Sequence, residues 1–244
     1  MGYFLSDEPL QAGTTVEISG AEAGHMRQSR RLRVGDALEL QDPAGARFAA
    51  VVAALPGKRV TVRIAGPAPI PPLPAVRLTL LQAALKEKAA ETILRQVTEL
   101  GVAAVVLFQA ERSPTAQQEL ARRPRRWERI GWEACKQSGR AAPPAVTGAP
   151  SLAVALVALT LPAAAPRWLL DPRADALAAL PWGDGAAGDA ALLVGPEGGL
   201  TEDELAAARK AGFHPVALQG PVLRAETAAV AGCALMLHGP MSNK

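Results

Sequence analysis

Ala190-Ala191-Leu192-Leu193-Val194-Gly195-Pro196-Glu197-Gly198-Gly199-Leu200-Thr201-Glu202-Asp203-Glu204-Leu205 reads as a buried strand, a glycine-rich turn and the first turn of a helix. Ala190 to Val194 is apolar without polar alternation, the pattern of a central parallel strand covered on both faces. Gly195, Gly198 and Gly199 leave the backbone free to turn and open to close approach. Thr201 and Glu204 have the spacing of a capping box, with Leu200 and Leu205 as its hydrophobic staple. The turn is not a phosphate loop: neither G-x-G-x-x-G nor G-x-x-x-x-G-K-[ST] is present. Glu202, Asp203 and Glu204 already complement the positive end of the helix dipole and would repel a phosphate. A neutral or cationic ligand is expected beside it.

Outward from this stretch, the second half of the chain alternates strand and helix. Val76 to Gln82 predicts a strand, Glu87 to Leu100 a helix ending at Gly101, and Val102 to Gln109 another strand. Pro124 to Ser138 predicts a longer helix with Trp127, Ile130 and Ala134 on one face and Gly139 at its end. Ser151 to Leu159 reads as helix, Trp168 to Leu170 as a short strand, and the helix after the glycine turn runs to Ala211. Pro215 to Leu218 is the last strand and Ala225 to Leu237 the last helix. Such alternation implies a parallel sheet with helices on both faces, and ligands in these sheets bind beyond the carboxyl ends of the strands. Ala225, Ala228, Ala229, Ala231, Gly232 and Ala234 make the last helix rich in small residues, suited to close packing or a subunit interface.

The first 66 or so residues differ in kind. Thr14 to Ile18, Ala37 to Leu40, Phe48 to Val52 and Val60 to Ile64 are short β-type runs separated by turns such as Asp42-Pro43-Ala44-Gly45, which predicts a compact barrel. Among them His25-Met26-Arg27-Gln28-Ser29-Arg30-Arg31-Leu32-Arg33 carries four arginines and no acid. Such a run is commonly a solvated helix face, yet clustered guanidinium forks suit phosphate oxygens of RNA. His25 alone reads as a structural histidine. Gly66-Pro67-Ala68-Pro69-Ile70-Pro71-Pro72-Leu73-Pro74 is a stiff linker and the clearest boundary.

The 244 residues carry a net charge of +3, which permits nucleic-acid binding without requiring it. Cys135 and Cys233 belong to no metal-binding or disulfide pattern and read as reduced, buried thiols. Met1 to Leu10 is mixed and acidic, unlike a secretory signal. Leu152 to Ala165 falls short of the roughly 20 residues that span a bilayer, and Pro162 interrupts it. A cytoplasmic protein without membrane or metal partners is expected.

Four further segments join the glycine turn: Val222-Leu223-Arg224-Ala225-Glu226-Thr227-Ala228, Gln137-Ser138-Gly139-Arg140, Thr98-Glu99-Leu100-Gly101-Val102 and Glu111-Arg112-Ser113. With Val194-Gly195-Pro196-Glu197-Gly198-Gly199-Leu200 they resemble, in order, the signatures of the bacterial 16S ribosomal RNA uracil-N3 methyltransferases. The resemblance implies an α/β SPOUT methyltransferase domain with a C-terminal trefoil knot over residues 71–244, preceded by a small PUA-like β-barrel, RNA-binding domain over residues 1–70. General topology rules would not lead to a knot. It further implies a homodimer, S-adenosylmethionine bound in the knot, and methylation of a uridine in 16S ribosomal RNA, as naked RNA or in the assembled small ribosomal subunit.

Carried over residue by residue, the cofactor would meet Leu193, Val194, Gly195, Pro196, Glu197 and Gly198 from the first loop, and Leu218, Gly220, Leu223 and Thr227 from the second. Its sulfonium suits an acidic helix start. Uracil N3 must lose a proton before it attacks, and needs no cysteine adduct to do so. The expected transfer is in-line, with Arg224 stabilising negative charge on the uracil oxygens and Glu226 either accepting the proton or only capping its helix. His25, Arg30, Arg31, Arg33 and Arg140 are the RNA-binding candidates. Members of the family often carry an arginine within the first few residues, whereas this chain begins Met1-Gly2-Tyr3-Phe4-Leu5, which shifts weight to Arg30, Arg31 and Arg33. Alternatives are methylation of a ribose 2′-hydroxyl and a noncatalytic RNA-binding factor; a nucleotide-dependent enzyme is disfavoured by the missing phosphate motifs.

Overall fold

Alternate residues of the strand Gly188–Val194 enter two different cores: Ala190, Leu192 and Val194 one, Ala191 and Leu193 the other. All five are buried, so the apolar run is explained by helices on both faces of its sheet. The computed structural model describes residues 2–114, 124–174 and 188–238; residues 239–244 of the expected second domain lie outside them. The chain divides into two units, Met1–Pro72 with Cys135–Ala142, and Leu73–Ala134 with Pro143–Lys244.

The first unit contains β1 (Phe4–Leu5), β2 (Thr15–Ile18), α1 (Gly20–Gly24), β3 (Ala37–Gln41), β4 (Arg47–Ala54) and β5 (Val60–Pro67). Its sheet has the order β1-β3-β4-β5-β2, with β1 parallel to β3 and the other pairs antiparallel. The register of β4 against β5 slips twice, between Ala49 and Ala50 and between Val52 and Ala54, as bulges do where a sheet bends. The expected barrel is thus an open half-barrel, its edge strands β1 and β2 at opposite ends of the order. Phe4, Met26, Leu40, Val60, Val62 and Ile64 fill its core. The arginine run is not one helix: α1 passes into a π-helical turn, His25–Ser29, where Arg30 N–H donates to the His25 carbonyl at 3.1 Å. Met26 is turned into the core while Arg30, Arg31 and Arg33 are exposed.

The second unit contains β6 (Val76–Ala83), α2 (Glu87–Leu100), β7 (Ala104–Phe108), α3 (Pro124–Ser138), β8 (Ala145–Ala149), α4 (Leu152–Ala158), β9 (Arg167–Leu170), β10 (Gly188–Val194), α5 (Glu202–Lys210), β11 (His214–Val216) and α6 (Ala225–His238), the last turn of α3 belonging to the first unit. All six strands are parallel, in the order β11-β9-β10-β6-β7-β8. Strand β8 was not expected from the sequence. The chain builds β6, β7 and β8 toward one edge, crosses to β9, and only then places β10 in the gap between β6 and β9. Side chains of α2, α3 and α6 share one core; those of α4 and α5 share the other. The small residues of α6 do what close packing requires: a Cβ on Gly232 would lie 2.8 Å from Leu192 Cδ2 and 3.0 Å from Leu170 Cδ1. No helix among the described residues is long and apolar enough to cross a membrane.

Candidate cofactor site

Leu170, Val194 and Val216 are register partners at the carboxyl ends of β9, β10 and β11. The three strands therefore stop level, and the loops that leave them surround one cavity of about 660 Å³. Its size and mixed walls are those of a small-molecule site. The floor is apolar, formed by Leu169, Val194, Leu200 and Leu205. One wall is the Gly195–Leu200 turn and another the segment Ala217–Leu223, whose Val222 and Leu223 leave aliphatic surface exposed. Gly199 has φ +71° and Gly220 φ +111°, with nothing within 4 Å of a Cβ placed on either. The main chain turns there in the left-handed region and stays open to a ligand.

The capping box is present: the Thr201 hydroxyl accepts from Glu204 N–H, and Glu204 Oε2 accepts from Thr201 N–H at 2.9 Å. Glu204 also accepts from Glu111 N–H at 3.1 Å. Arg173 binds Glu202 through Nη1 at 3.0 Å and grips Asp171 through Nε and Nη2, both at 3.1 Å. Burial pushes the Asp171 carboxyl up, but these hydrogen bonds and the Arg173 charge outweigh it and leave the group below its ordinary range. Two of the three acids that open α5 are therefore neutralised or committed to capping. Arg112, Arg173 and Arg224 border the cavity beside Asp171 and Glu197, so its field is mixed and not simply acidic as the local sequence implies.

The cavity brings together Val194, Gly195, Pro196, Glu197, Gly198, Leu218, Gly220, Leu223 and Arg224 of the expected site residues. Leu193 is buried in the core it shares with Leu169, Leu200 and Leu205 and does not itself line the cavity, and Glu226 and Thr227 are outside the cavity lining, one and two residues past Ala225 on α6. Arg30, Arg31 and Arg33 stand exposed on the first unit, and Arg31 holds φ +52°, a strained value for a non-glycine residue. His25 packs its ring edge-on against Phe4, centroids 5.4 Å apart. Arg140 is only 8% exposed, and burial lowers its pKa. Reading by motif quoted Arg112 in Glu111-Arg112-Ser113 without giving it a role, and passed over Asp171 and Arg173; the position of Asp171 just after a short strand was the available signal.

A family model described as an RNA methyltransferase domain matches residues 71–237, and one described as an RNA methyltransferase PUA domain matches residues 18–65. The chain is 35% identical over 241 residues to ribosomal RNA small subunit methyltransferase E of Mycobacterium tuberculosis, covering 93% of this chain and 87% of the relative. It is 31% identical over 174 residues to the protein of the same name from Aquifex aeolicus, covering 68% and 70%. The crystal structure of a ribosomal RNA small subunit methyltransferase E from Neisseria gonorrhoeae bound to S-adenosyl methionine superposes with a TM-score of 0.79 at 28% identity, covering 97% of this chain and 96% of that one. An α/β SPOUT-like domain behind a PUA half-barrel, matched along nearly its whole length, places this chain in the ribosomal RNA small subunit methyltransferase E family of RNA methyltransferases.

Proposed function

We propose that the chain transfers a methyl group from S-adenosylmethionine to N3 of uridine 1498 in 16S ribosomal RNA. The observation that carries this reading is the cavity at the level ends of β9, β10 and β11, which has no phosphate motif and has glycine backbone open to a ligand. The residues fit the cofactor: the main chain at Gly199 and Gly220 can approach an adenosine closely, and Val222 and Leu223 offer exposed aliphatic surface to a flat ring. When bound, S-adenosylmethionine supplies an electrophilic methyl on sulfur.

The chain's own residues do the rest. Arg224, exposed at the cavity and one residue before α6, holds the uracil oxygens as negative charge grows on them. Glu226, in the first turn of α6, takes the N3 proton or caps the helix. Residues 1–70 serve as the RNA-binding domain, with Arg30, Arg31 and Arg33 on phosphates, and residues 71–244 as the methyltransferase domain. The insertion of β10 between β6 and β9 fits a knotted C-terminal segment. The chain works in the cytoplasm as a homodimer, and the apolar α6, with Leu235 exposed, offers surface for the partner.

The test is incubation with labelled S-adenosylmethionine and small ribosomal subunits lacking the modification, in parallel with naked 16S RNA. A methyl on N3 blocks Watson–Crick pairing and stops reverse transcription at the target. Label in RNA without that stop would move the reaction to another atom, such as a ribose 2′-hydroxyl; no label would leave an RNA-binding factor.

A further inference from the structure

Gly2 and Tyr3 lie between two groups that the sequence keeps far apart. A Cβ placed on Gly2 would lie 2.9 Å from Arg30 Nη2 and collide with the Lys136 carbonyl oxygen. The chain therefore passes there only because residue 2 has no side chain. Tyr3 N–H then donates to the Lys136 carbonyl at 3.3 Å, and its hydroxyl donates to the Arg140 carbonyl at 2.8 Å. Arg47 covers the Tyr3 ring, its Cζ 3.5 Å from the centroid. From there Nη2 donates to the Gly139 carbonyl at 3.1 Å and to Gln41 Oε1 at 2.9 Å. Gln41 Nε2 in turn donates to the Ala141 carbonyl at 2.8 Å.

Three consecutive carbonyls, Gly139, Arg140 and Ala141, are thus each taken by a different side chain. All three donors, Tyr3, Gln41 and Arg47, are at most 3% exposed. A helix end leaves its last carbonyls to glycine geometry, water or a neighbouring cation. Here Gly139 already ends α3 with φ +83°, so the helix has its stop without Arg47. Arg47 is buried and paired with Glu39 through Nη1 at 3.2 Å. A buried ion pair recovers its desolvation cost only in part, a cost beyond what a plain cap requires, and such rigid support is the usual provision for a turn whose placement matters.

We infer that Gly2, Tyr3 and Arg47 are positioning residues that set the Gln137–Ala141 turn against Arg30, so that Arg30 and the exposed Gln137 form one RNA-binding surface. This rests on the reading that the chain methylates RNA. It also gives the N-terminal residues a role that requires no arginine among them: they act through the turn and through Arg30.

The test compares Gly2→Ala, Tyr3→Phe and Arg47→Lys with the wild-type full chain. A fluorescent 16S fragment containing the target uridine measures RNA affinity by anisotropy, calorimetry measures S-adenosylmethionine affinity, and thermal melting reports the fold. Gly2→Ala forces both the Lys136 carbonyl and Arg30 to shift, whereas Tyr3→Phe removes only one hydrogen bond and keeps the test readable if Gly2→Ala or Arg47→Lys fails to fold. RNA affinity should fall about fivefold or more, while cofactor affinity stays within about twofold. Unchanged RNA affinity in Gly2→Ala and Tyr3→Phe would overturn the inference, as would a loss matched by equal losses in cofactor affinity and melting temperature. Wild-type chain that binds the fragment but transfers no methyl would sink the catalytic reading alone; failure to bind the fragment would overturn both.

Discussion

Arg112 reaches over the glycine-rich turn and donates from Nη1 to the Gly198 carbonyl at 3.2 Å. A Cβ on Gly198 would lie 3.1 Å from Arg112 Cβ, so the two residues pack as tightly as glycine allows. The preceding Glu111 N–H is bound by Glu204 of the capping box. The loop after β7 thereby steadies the cofactor wall. Arg112→Ala should weaken S-adenosylmethionine binding about five- to tenfold, from loss of a hydrogen bond and of order in the turn. Calorimetry checks this, and turnover at saturating cofactor should change far less.

Arg224 is exposed at the cavity. Arg224→Ala should leave cofactor affinity nearly intact and lower methyl transfer by roughly 10²–10³, the usual cost of removing a group that stabilises developing negative charge. Single-turnover assays separate the two quantities. Unchanged turnover would remove Arg224 from the chemistry.

Gly232→Val tests the packing of α6 on the sheet. Its first added carbon already meets Leu192 and Leu170 at 2.8 and 3.0 Å. Overpacking of this kind costs about 1–3 kcal/mol. The melting temperature should drop by roughly 2–4 °C for each kcal/mol in a chain of this size. An unchanged melting curve would mean that the helix has room to shift.

Cys135 is fully buried, and burial pushes its thiol from 9.0 up to about 11, against the opposing pull of Arg140 and Arg47. As pH rises between those values, the unfolded chain releases this proton first and the folded chain keeps it. Stability must fall across that window, by at most about 3 kcal/mol from this group. Urea unfolding at a series of alkaline pH values should show the decline, and Cys135→Ala should make it shallower.

If Arg30 and Arg33 bind phosphates, each alanine replacement should weaken RNA binding across sequences and reduce the logarithmic salt slope by roughly 0.7–0.9. An unaltered slope would take them out of the interface.

Much of the second unit was legible because its signals are local. Glu87–Leu100 and Pro124–Ser138 both stop where a glycine follows, and the Thr201–Glu204 box marks the start of α5 to the residue. Strand β8, Ala145-Val146-Thr147-Gly148-Ala149, lacks the apolar run of a central strand, as fits its place at the sheet edge, paired among the described residues with β7 alone. The two-residue β1 is too short to show a period. The insertion of β10 between β6 and β9 depends on residues far apart in sequence, and only the resemblance hinted at it.

The site divides in the same way. The Gly195–Leu200 and Leu218–Leu223 walls are written as continuous motifs. Arg173 is not, since its meaning comes from meeting Asp171 and Glu202 together. On α6 the motif runs straight through Arg224 to Thr227, but helical phase puts Ala225 and Ala228 at the cavity and leaves Glu226 and Thr227 off it. Arg140 read as an outward contact, whereas the turn that carries it is drawn in through its carbonyls by Tyr3, Arg47 and Gln41.

Strand β10 is hydrogen-bonded on both sides, to β6 along its whole length and to β9 along its last four residues. Its last four residues, flanked by strands on both sides, are expected to exchange with solvent deuterium slowly. The Gln219–Arg224 rim is exposed and can open by itself. The cavity therefore joins a strand paired on both sides to an exposed loop, so a ligand can enter and leave by loop motion while the strand beneath it stays paired.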